Sequence, residues 1–462
     1  MNRKENKKEK NNSIIFYGGA GMVTGSNFLL KLGDTQILID CGLIQGEKYF
    51  DEYNFKPFPY DPKKIDFLFS THAHADHIGL IPKLVREGFS GTIFSTPATR
   101  ELSATMFVDA LKILSYETKE SGKEPIYNSE DVAKTFSIWR EIDYHKEEKL
   151  TEEISVVLKD AGHILGSAIV SVSYNGKKVV FTGDLGNSPS PLLKNTEDII
   201  DADYMVIESV YGDRNHEERG QRIELLKKAI EDISSRGGIL LIPSFSIQRT
   251  QELLYLINNF VEDGILPNIP VYLDSPLAIK VTEIFKQYKH LLNKEVQGEI
   301  DGGDDIFDFP QFSNTKEVSE SKAILNEPNP KIIIAGSGMS SGGRILHHEK
   351  QSLSDPKNMI LFIGYQAVGT LGRLIQDGAK EVTIHDEIVK VKAEVRVVNG
   401  FSAHKDSDNL IGFIEKSQNT LKKVFVAMGE PKASLFLVQH IRDYIGVNAI
   451  SPERGEEIEI DI

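Results

Sequence analysis

The sequence predicts an α/β protein in which one βα domain is inserted into another. Three observations predict it: residues 1–208 mix β-hairpin patterns with helices, from about Arg222 strand and helix alternate strictly, and after Glu381 the hairpin texture returns. Along the chain, apolar alternation over 27–40 is broken only at Gly33-Asp34, the mark of a hairpin with a two-residue turn. A strand is expected at 65–70, helices at 78–87 and 99–114, a further helix opening near Ser129, and a second hairpin over 168–181 turning at Asn175-Gly176. The alternating region then reads helix 222–235, strand 238–243, helix 248–260, strand 269–273 and helix 276–288, the order of a parallel sheet covered by helices. It pauses in an acidic loop at 298–309 and resumes with strand 331–335, helix 343–352, strand 359–364 and helix 370–375. After the returning hairpin come helix 406–415, strand 423–427 and helix 432–444. The expected organisation is a flexible tail at 1–12, a first domain over 13–208 that resumes at 381–462, and an insert over 209–380.

Composition narrows the class. The 462 residues suffice for two or three domains at about 100–200 residues each, and 40% hydrophobic with 26% charged residues is ordinary globular usage. The single cysteine, Cys41, makes no internal disulfide, so any metal is expected on His and carboxylates. Apolar runs such as Gly238-Ile-Leu-Leu-Ile-Pro243 fall far short of a membrane span, and the basic stretch before Ile14 lacks a signal-peptide core, so a cytoplasmic protein without membrane contact is expected. With 53 basic and 68 acidic residues the net charge is −15, which disfavours broad coating of nucleic acid but leaves room for cations gathered in one cleft.

The run Ser70-Thr-His72-Ala-His74-Ala-Asp76-His77-Ile-Gly79 follows an apolar strand and carries four ligand-type side chains in six residues. Imidazole and carboxylate suit zinc where thiolates are absent, and a loop folds them around two ions more readily than one. His72 and His74 are expected to face one ion, Asp76 and His77 the other. Two later strand ends supply more donors, His163 in Asp160-Ala-Gly-His163 and Asp184 in Thr182-Gly-Asp184. A bridging Asp184 holds such ions about 3.5–4 Å apart. The isolated His145, His216, His290 and His440 are expected to be solvated. His347-His348 open a helix, where a structural role and phosphate contact both stay open. Gly336-Ser337-Gly338-Met-Ser340-Ser-Gly342-Gly-Arg344 joins strand to helix, so its amides offer a phosphate site, with Ser337, Gly338, Arg249, Arg344 and Arg373 as candidate substrate contacts. The same stretch contains Gly338-x-Ser340-x-Gly342, a superficial nucleophile elbow that leaves the metal ligands unexplained and has no marked His or acid partner.

The run His72-x-His74-x-Asp76-His77, with His163 and Asp184, resembles the metallo-β-lactamase superfamily, whose fold is an αββα sandwich with two zincs at one sheet edge. Further motifs are similar to its β-CASP group: Ile207-Glu208-Ser-Val-Tyr-Gly212-Asp-Arg214, Pro243-Ser-Phe-Ser-Ile-Gln-Arg249-Thr-Gln-Glu-Leu253, Leu273-Asp-Ser-Pro-Leu277, Gly364-Tyr-Gln, Gly369-Thr-Leu371 and Gly400-Phe-Ser-Ala-His404. That group includes the nuclease subunit of the cleavage and polyadenylation specificity factor and its prokaryotic relatives. The resemblance spans residues 14 to 445. It implies His72, His74 and His163 on one zinc, Asp76 and His77 on the other, Asp184 between them, and the insert as a lid. It also places Glu208 and His404 at two further motifs. A carboxylate beside an imidazole favours the imidazolium, which makes His404 the expected general acid and Glu208 its orienting partner.

One position departs from the family. Where its members carry a ligating histidine in His-Gly-Glu, this chain reads Met428-Gly-Glu430. A thioether suits zinc poorly, so weaker occupancy of the second site is expected, and His385 is a remote substitute better read as solvent-facing. The resulting expectation is a zinc-dependent phosphodiesterase that cuts RNA as an endoribonuclease, with metal-activated hydroxide as nucleophile, Asp76, Glu208 and His404 as catalytic residues and RNA as partner. Single-stranded DNA as substrate and a homodimer are left open. The alternative is a catalytically weak RNA-binding scaffold, on the strength of Met428.

Overall fold

Alternation along the first strands sorts their side chains onto two faces. Ile14, Phe16, Leu30, Leu32, Ile37 and Ile39 face a core shared with a second sheet, while Ile15, Leu29 and Leu38 face a core built with helices. The structure is a computed structural model that describes residues 12–45, 48–121, 124–216, 219–266, 269–364, 366–367 and 369–462. Apart from Asn12, the expected tail lies outside the described residues.

The first sheet has seven strands in the order Glu457–Glu459, Ser13–Gly18, Asn27–Leu32, Thr35–Ile39, Phe67–Phe69, Thr92–Ser95 and Trp139–Glu141. The second runs Ala449–Ile450, Lys423–Val426, Tyr204–Ile207, Lys177–Phe181, Ala168–Tyr174, Ile154–Asp160 and Glu147–Lys149. Val156, Val170, Val172, Phe181, Val206 and Phe425 of the second sheet meet the first, and Ile169, Val180, Met205 and Val426 turn outward to Leu410, Phe413 and Leu437 on the helices Ser407–Glu415 and Pro431–His440. Two sheets with helices on both outer faces make an αββα sandwich.

Both hairpins lie where alternation puts them. Leu32 pairs with Thr35 across Gly33-Asp34, and Tyr174 pairs with Lys177 across Asn175 (φ 49°) and Gly176 (φ 75°), the two positive φ values that such a turn demands. The helix expected over 78–87 is instead two, Ala75–Ile78 and Ile81–Arg86, because the metal-type loop itself opens the first and Pro82 restarts the second.

The insert is a six-stranded sheet in the order Phe312–Asn314, Val271–Asp274, Lys331–Ala335, Ile239–Pro243, Met359–Phe362 and Glu394–Val397, with every pairing parallel. Its three central strands are buried at every residue, as helices on both faces require. Sheet pairing also moves one expected border. The segment from 381 was read as the return of the first domain, yet Glu394–Val397 pairs with Met359–Phe362, and Val382, Ile384 and Val389 of the preceding hairpin pack on the insert's core. A hairpin looks alike in either domain, and only its apolar face reveals which core it covers. A helix over Lys294–Asp301, capped by Asn293, runs into the start of the expected acidic loop.

Asp274, at a strand end of the insert, is fully buried. One carboxylate oxygen accepts from Thr315 Oγ1 and Arg344 Nη1 (both 2.6 Å), the other from Ser321 Oγ (2.5 Å) and His348 Nε2 (2.7 Å). Burial pushes this carboxyl up, but the bonds from His348, Ser321, Thr315 and Arg344 outweigh it and hold it well below the usual carboxylate range. Asp274→Ala removes the carboxylate from buried His348 and leaves Arg344 only the Thr315 and Lys316 carbonyls, and an expected loss of about 3–5 kcal/mol follows. Urea titration checks it: the midpoint falls at pH 7 with the slope unchanged, whereas an unmoved midpoint refutes it. Because the folded pKa is depressed, the difference between variant and parent is full above about pH 4, the unfolded carboxyl value, and shrinks as pH falls toward the folded one.

Candidate metal centre

Each candidate donor of the first domain lies just past the carboxyl end of a strand. His72, His74, Asp76 and His77 follow Phe67–Phe69, His163 follows Ile154–Asp160, Asp184 follows Lys177–Phe181 and Glu208 follows Tyr204–Ile207. His404 arrives from the return segment, after the turn Asn399–Phe401. The loop of Asp184 turns through Gly183 at φ 54°, where a Cβ would also lie 2.8 Å from Thr71 Cβ.

These groups converge. His72 Nε2 and His163 Nε2 lie 3.1 and 3.3 Å from His74 Nδ1, and each lies 3.5 Å from Asp184 Oδ2. The four donor atoms fall within 4.8 Å of one another. On the other side His77 Nε2 is 3.4 Å from Asp184 Oδ1 and 3.8 Å from Asp76 Oδ2. Burial, the largest cause in each case, pulls the imidazoles of His72, His74 and His163 down, His74 to about 4, so they stand neutral with lone pairs available. Burial opposes ionisation of Asp184, but His77 and then His404 hold it well below the usual carboxylate range.

The donor set fits divalent ions. His77 Nε2 and Asp184 Oδ1 are buried and have no hydrogen-bond partner among the described residues, a costly condition that a cation between them removes. The opposite edges of the rings are already committed. His77 Nδ1 faces Asp40 Oδ2 at 2.7 Å, His163 Nδ1 faces the Ala403 carbonyl at 3.3 Å and His72 Nδ1 faces Thr71 Oγ1 at 3.1 Å, which leaves the second nitrogen of each for the centre.

Beside this cluster, His404 Nδ1 sits 3.1 and 3.2 Å from the two oxygens of Glu208 and 3.9 Å from Asp184 Oδ2. Glu208 is buried and is pinned by the Leu185 N–H at 2.6 Å. Burial pulls His404 down, yet Glu208 and Asp184 outweigh it and raise its pKa to about 9. At neutral pH the pair therefore carries a proton held on His404, whose side chain is 22% exposed.

Sequence reasoning passed over Asp40. It is buried with φ 59°, accepts from Thr71 N (2.8 Å), Thr71 Oγ1 (2.9 Å) and Ser26 Oγ (3.0 Å), and so ties His77 to the base of the metal-type loop. In sequence it is one aspartate before Cys41-Gly42, indistinguishable from a turn residue. His216 was expected to be solvated; it is half-buried, 2.9 Å from the His404 carbonyl through Nε2, with its ring 4.4 Å from that of Tyr211.

The candidate phosphate contacts each have partners within the protein. Arg344 is spent on Asp274 and on the carbonyls of Thr315 and Lys316. Arg373 pairs with Asp377 at 2.8 Å. Arg249 pairs with Glu252 and lies 5.7 Å from the centre of the Phe401 ring, and its charge acts on His74. Ser337 Oγ accepts from Ser341 N at 2.9 Å, the Gly338 carbonyl accepts from Gln366 at 3.0 Å, and the buried Ser340 hydroxyl donates to Glu349 at 2.5 Å. His348 is structural through Asp274, and His347 is half-buried beside it. His385 occupies the exposed turn of the hairpin 381–390, and His145 pairs with Glu197 at 2.8 Å. His440 lies 4.5 Å from the Tyr444 ring, and His290 5.9 Å from that of Tyr288. The Met428 thioether packs in the core between the sheets, close against Gly19 and Phe28.

Comparison with known proteins gives three domain matches: the metallo-beta-lactamase superfamily domain over residues 29–210, the Beta-Casp domain over 250–375 and the Zn-dependent metallo-hydrolase RNA specificity domain over 388–452. Ribonuclease TTHA0252 of Thermus thermophilus is 37% identical over 402 residues, covering 87% of this chain and 90% of that one. Transcription termination factor FttA of Methanosarcina mazei is 33% identical over 444 residues, 93% of this chain and 68% of its own. An RNase J-like protein of Methanocaldococcus jannaschii is 32% identical over 446 residues, covering 96% and 98%. A solved structure of a protein of unknown function from Enterococcus faecalis shares the fold, with a TM-score of 0.57 at 12% identity over 97% of this chain and 100% of that one.

Asp40→Ala removes the partner that orients His77. Metal affinity is expected to fall about 10–100-fold, read by competition against a chromophoric zinc chelator. Affinity equal to the parent's separates Asp40 from the centre.

Proposed function

From the premise that this chain belongs to the β-CASP group of the metallo-β-lactamase superfamily, we propose that it is a zinc-dependent phosphodiesterase that cuts RNA as an endoribonuclease. The observation that carries this reading is the convergence of six His and Asp donors from three loops beside the paired His404 and Glu208. Two relatives, a ribonuclease and an RNase J-like protein, support RNA as substrate.

In this reading His72, His74 and His163 would hold one ion and Asp76 and His77 the other, with Asp184 available to both. Divalent ions so held acidify water and offset charge on a phosphodiester. Glu208, fixed by the Leu185 amide, keeps the His404 ring oriented and charged. His404, the general acid, gives its Nδ1 edge to Glu208 and delivers a proton to the leaving oxygen. Asp76, raised by burial to about 6, completes the catalytic set. Arg249, held against Phe401 and Glu252, is the insert's candidate cation for a bound phosphate.

One observation favours the second reading, an RNA-binding scaffold of low activity. The residue at the family's remaining ligand position is a thioether turned into the apolar core, so the second ion is left with Asp76, His77 and Asp184.

His404→Ala is expected to lower turnover on a labelled RNA about 10²–10⁴-fold with metal content unchanged; near-normal turnover removes His404 from the mechanism. A covalently closed RNA circle tests the mode, since an endonuclease linearises it and an enzyme that needs an end leaves it whole. Titration of the purified chain with chelator is expected to release one metal equivalent before the other, and Met428→His to narrow that gap. Two equally tight equivalents in the unmodified chain would refute the weakened second site.

A further inference from the structure

A cleft of about 560 Å³ on the first domain has no role in the reading above. Its volume falls within the range of about 300–1,000 Å³ usual for small-ligand sites. Tyr17, Tyr53 and Phe58 supply aromatic walls, and Lys56, Lys83 and Arg454 supply positive charge. The Lys56 ammonium lies 4.0 Å and the Arg454 guanidinium 4.6 Å from the centroid of one ring, that of Tyr53, and Arg454 Nε also donates to the Tyr17 carbonyl at 3.0 Å. Lys83 lies 4.3 Å over Phe58 and is answered by Glu87 at 3.2 Å. Among the described residues, neither Lys56 nor Arg454 has a carboxylate partner, although the chain as a whole carries −15. Two exposed cations held over one aromatic ring in an acidic protein mark a place that favours an anion with an aromatic part.

The cleft also adjoins the metal-type loop. Gly25 and Gly42 line it, and Gly42 approaches Asp76 so closely that a Cβ there would lie 1.6 Å from the Asp76 carbonyl oxygen. The Ser26 N–H donates to that same oxygen at 2.8 Å. One layer of backbone thus separates the cleft wall from a residue of the centre.

We propose that this cleft holds one nucleotide of a single-stranded RNA outside the scissile bond, its phosphate on Lys56 and Arg454 and its base against Tyr17 and Phe58, an inference that rests on the ribonuclease reading. Stacking on aromatic walls accepts every base, and the two cations follow the backbone, so the contact adds grip without sequence preference.

The test is fluorescence anisotropy of a labelled 20-nucleotide single-stranded RNA with phosphorothioate linkages, titrated with the full chain over a range of salt, with cleavage of the unmodified RNA assayed in parallel. The Lys56→Gln, Arg454→Gln double variant is expected to bind about tenfold more weakly, with a logarithmic salt slope shallower by about 0.7 for each cation removed. Phe58→Ala weakens binding with the slope unchanged. Thermal melting shows that each variant is folded, and hydrolysis of bis(p-nitrophenyl) phosphate, too small to span both sites, stays at the parent's rate. Binding and slope equal to the parent's overturn the cleft while leaving the ribonuclease reading intact. Loss of binding in the double variant of a chain that cuts no RNA upholds the cleft and overturns that reading, and a parent that neither binds nor cuts RNA overturns both.

Discussion

Asp184 is 3% exposed, and a carboxylate that deep persists as a charge only where positive or hydrogen-bonding groups are brought to it. Here they come from separate parts of the chain: His72 and His77 from a loop of the first sheet, His163 from a loop of the second, and His404 from beyond the insert, all within 3.9 Å of its oxygens. The sandwich brings these loops to one edge because each sheet is buried on both faces and neither can slide without exposing apolar side chains. The centre is therefore a product of the core packing, and the remaining arrangement of the molecule follows from keeping those loop ends together.

The return segment is stitched to the Asp184 loop by backbone as well as side chain. Asn187 N donates to Ala403 O and Lys405 N to Leu185 O, both at 2.8 Å, with Gly186 opposite His404. Just before it, Phe401 is fully buried between the guanidiniums of Arg222 and Arg249, at 5.5 and 5.7 Å. The insert is tied a second time where Asn293 N donates to Leu192 O at 2.8 Å. The insert is further seated by apolar packing, since Leu102 and Phe107 of the first domain share one core with Val281 and Phe285 of the insert.

Much of this was legible in the residues. The two hairpins declared themselves through Gly33-Asp34 and Asn175-Gly176, since only a few residue types accept the backbone such turns require. The parallel sheet declared itself through continuous apolar runs, and the donors through their density after strands. What escaped has a common physical cause: its meaning lies in contacts distant along the chain. Asp40 acquires a role only when Thr71 and His77 fold onto it, and His216 only when the His404 carbonyl arrives beside it. Nothing local in the sequence marks Asp274 as the partner of Arg344, 70 residues away, although Asp377 stands one helical turn from Arg373. The hairpin at 381–390 carries no local mark of the core it covers.

The position of His404 after the insert also orders events during synthesis. Every histidine and aspartate of the donor cluster lies at or before residue 184, whereas the His404 imidazole follows only once the whole six-stranded insert has been made. The sandwich strands Lys423–Val426, Ala449–Ile450 and Glu457–Glu459 are made later still, so both the packing that gathers the loops and the imidazole that completes the pair wait on the chain beyond the insert.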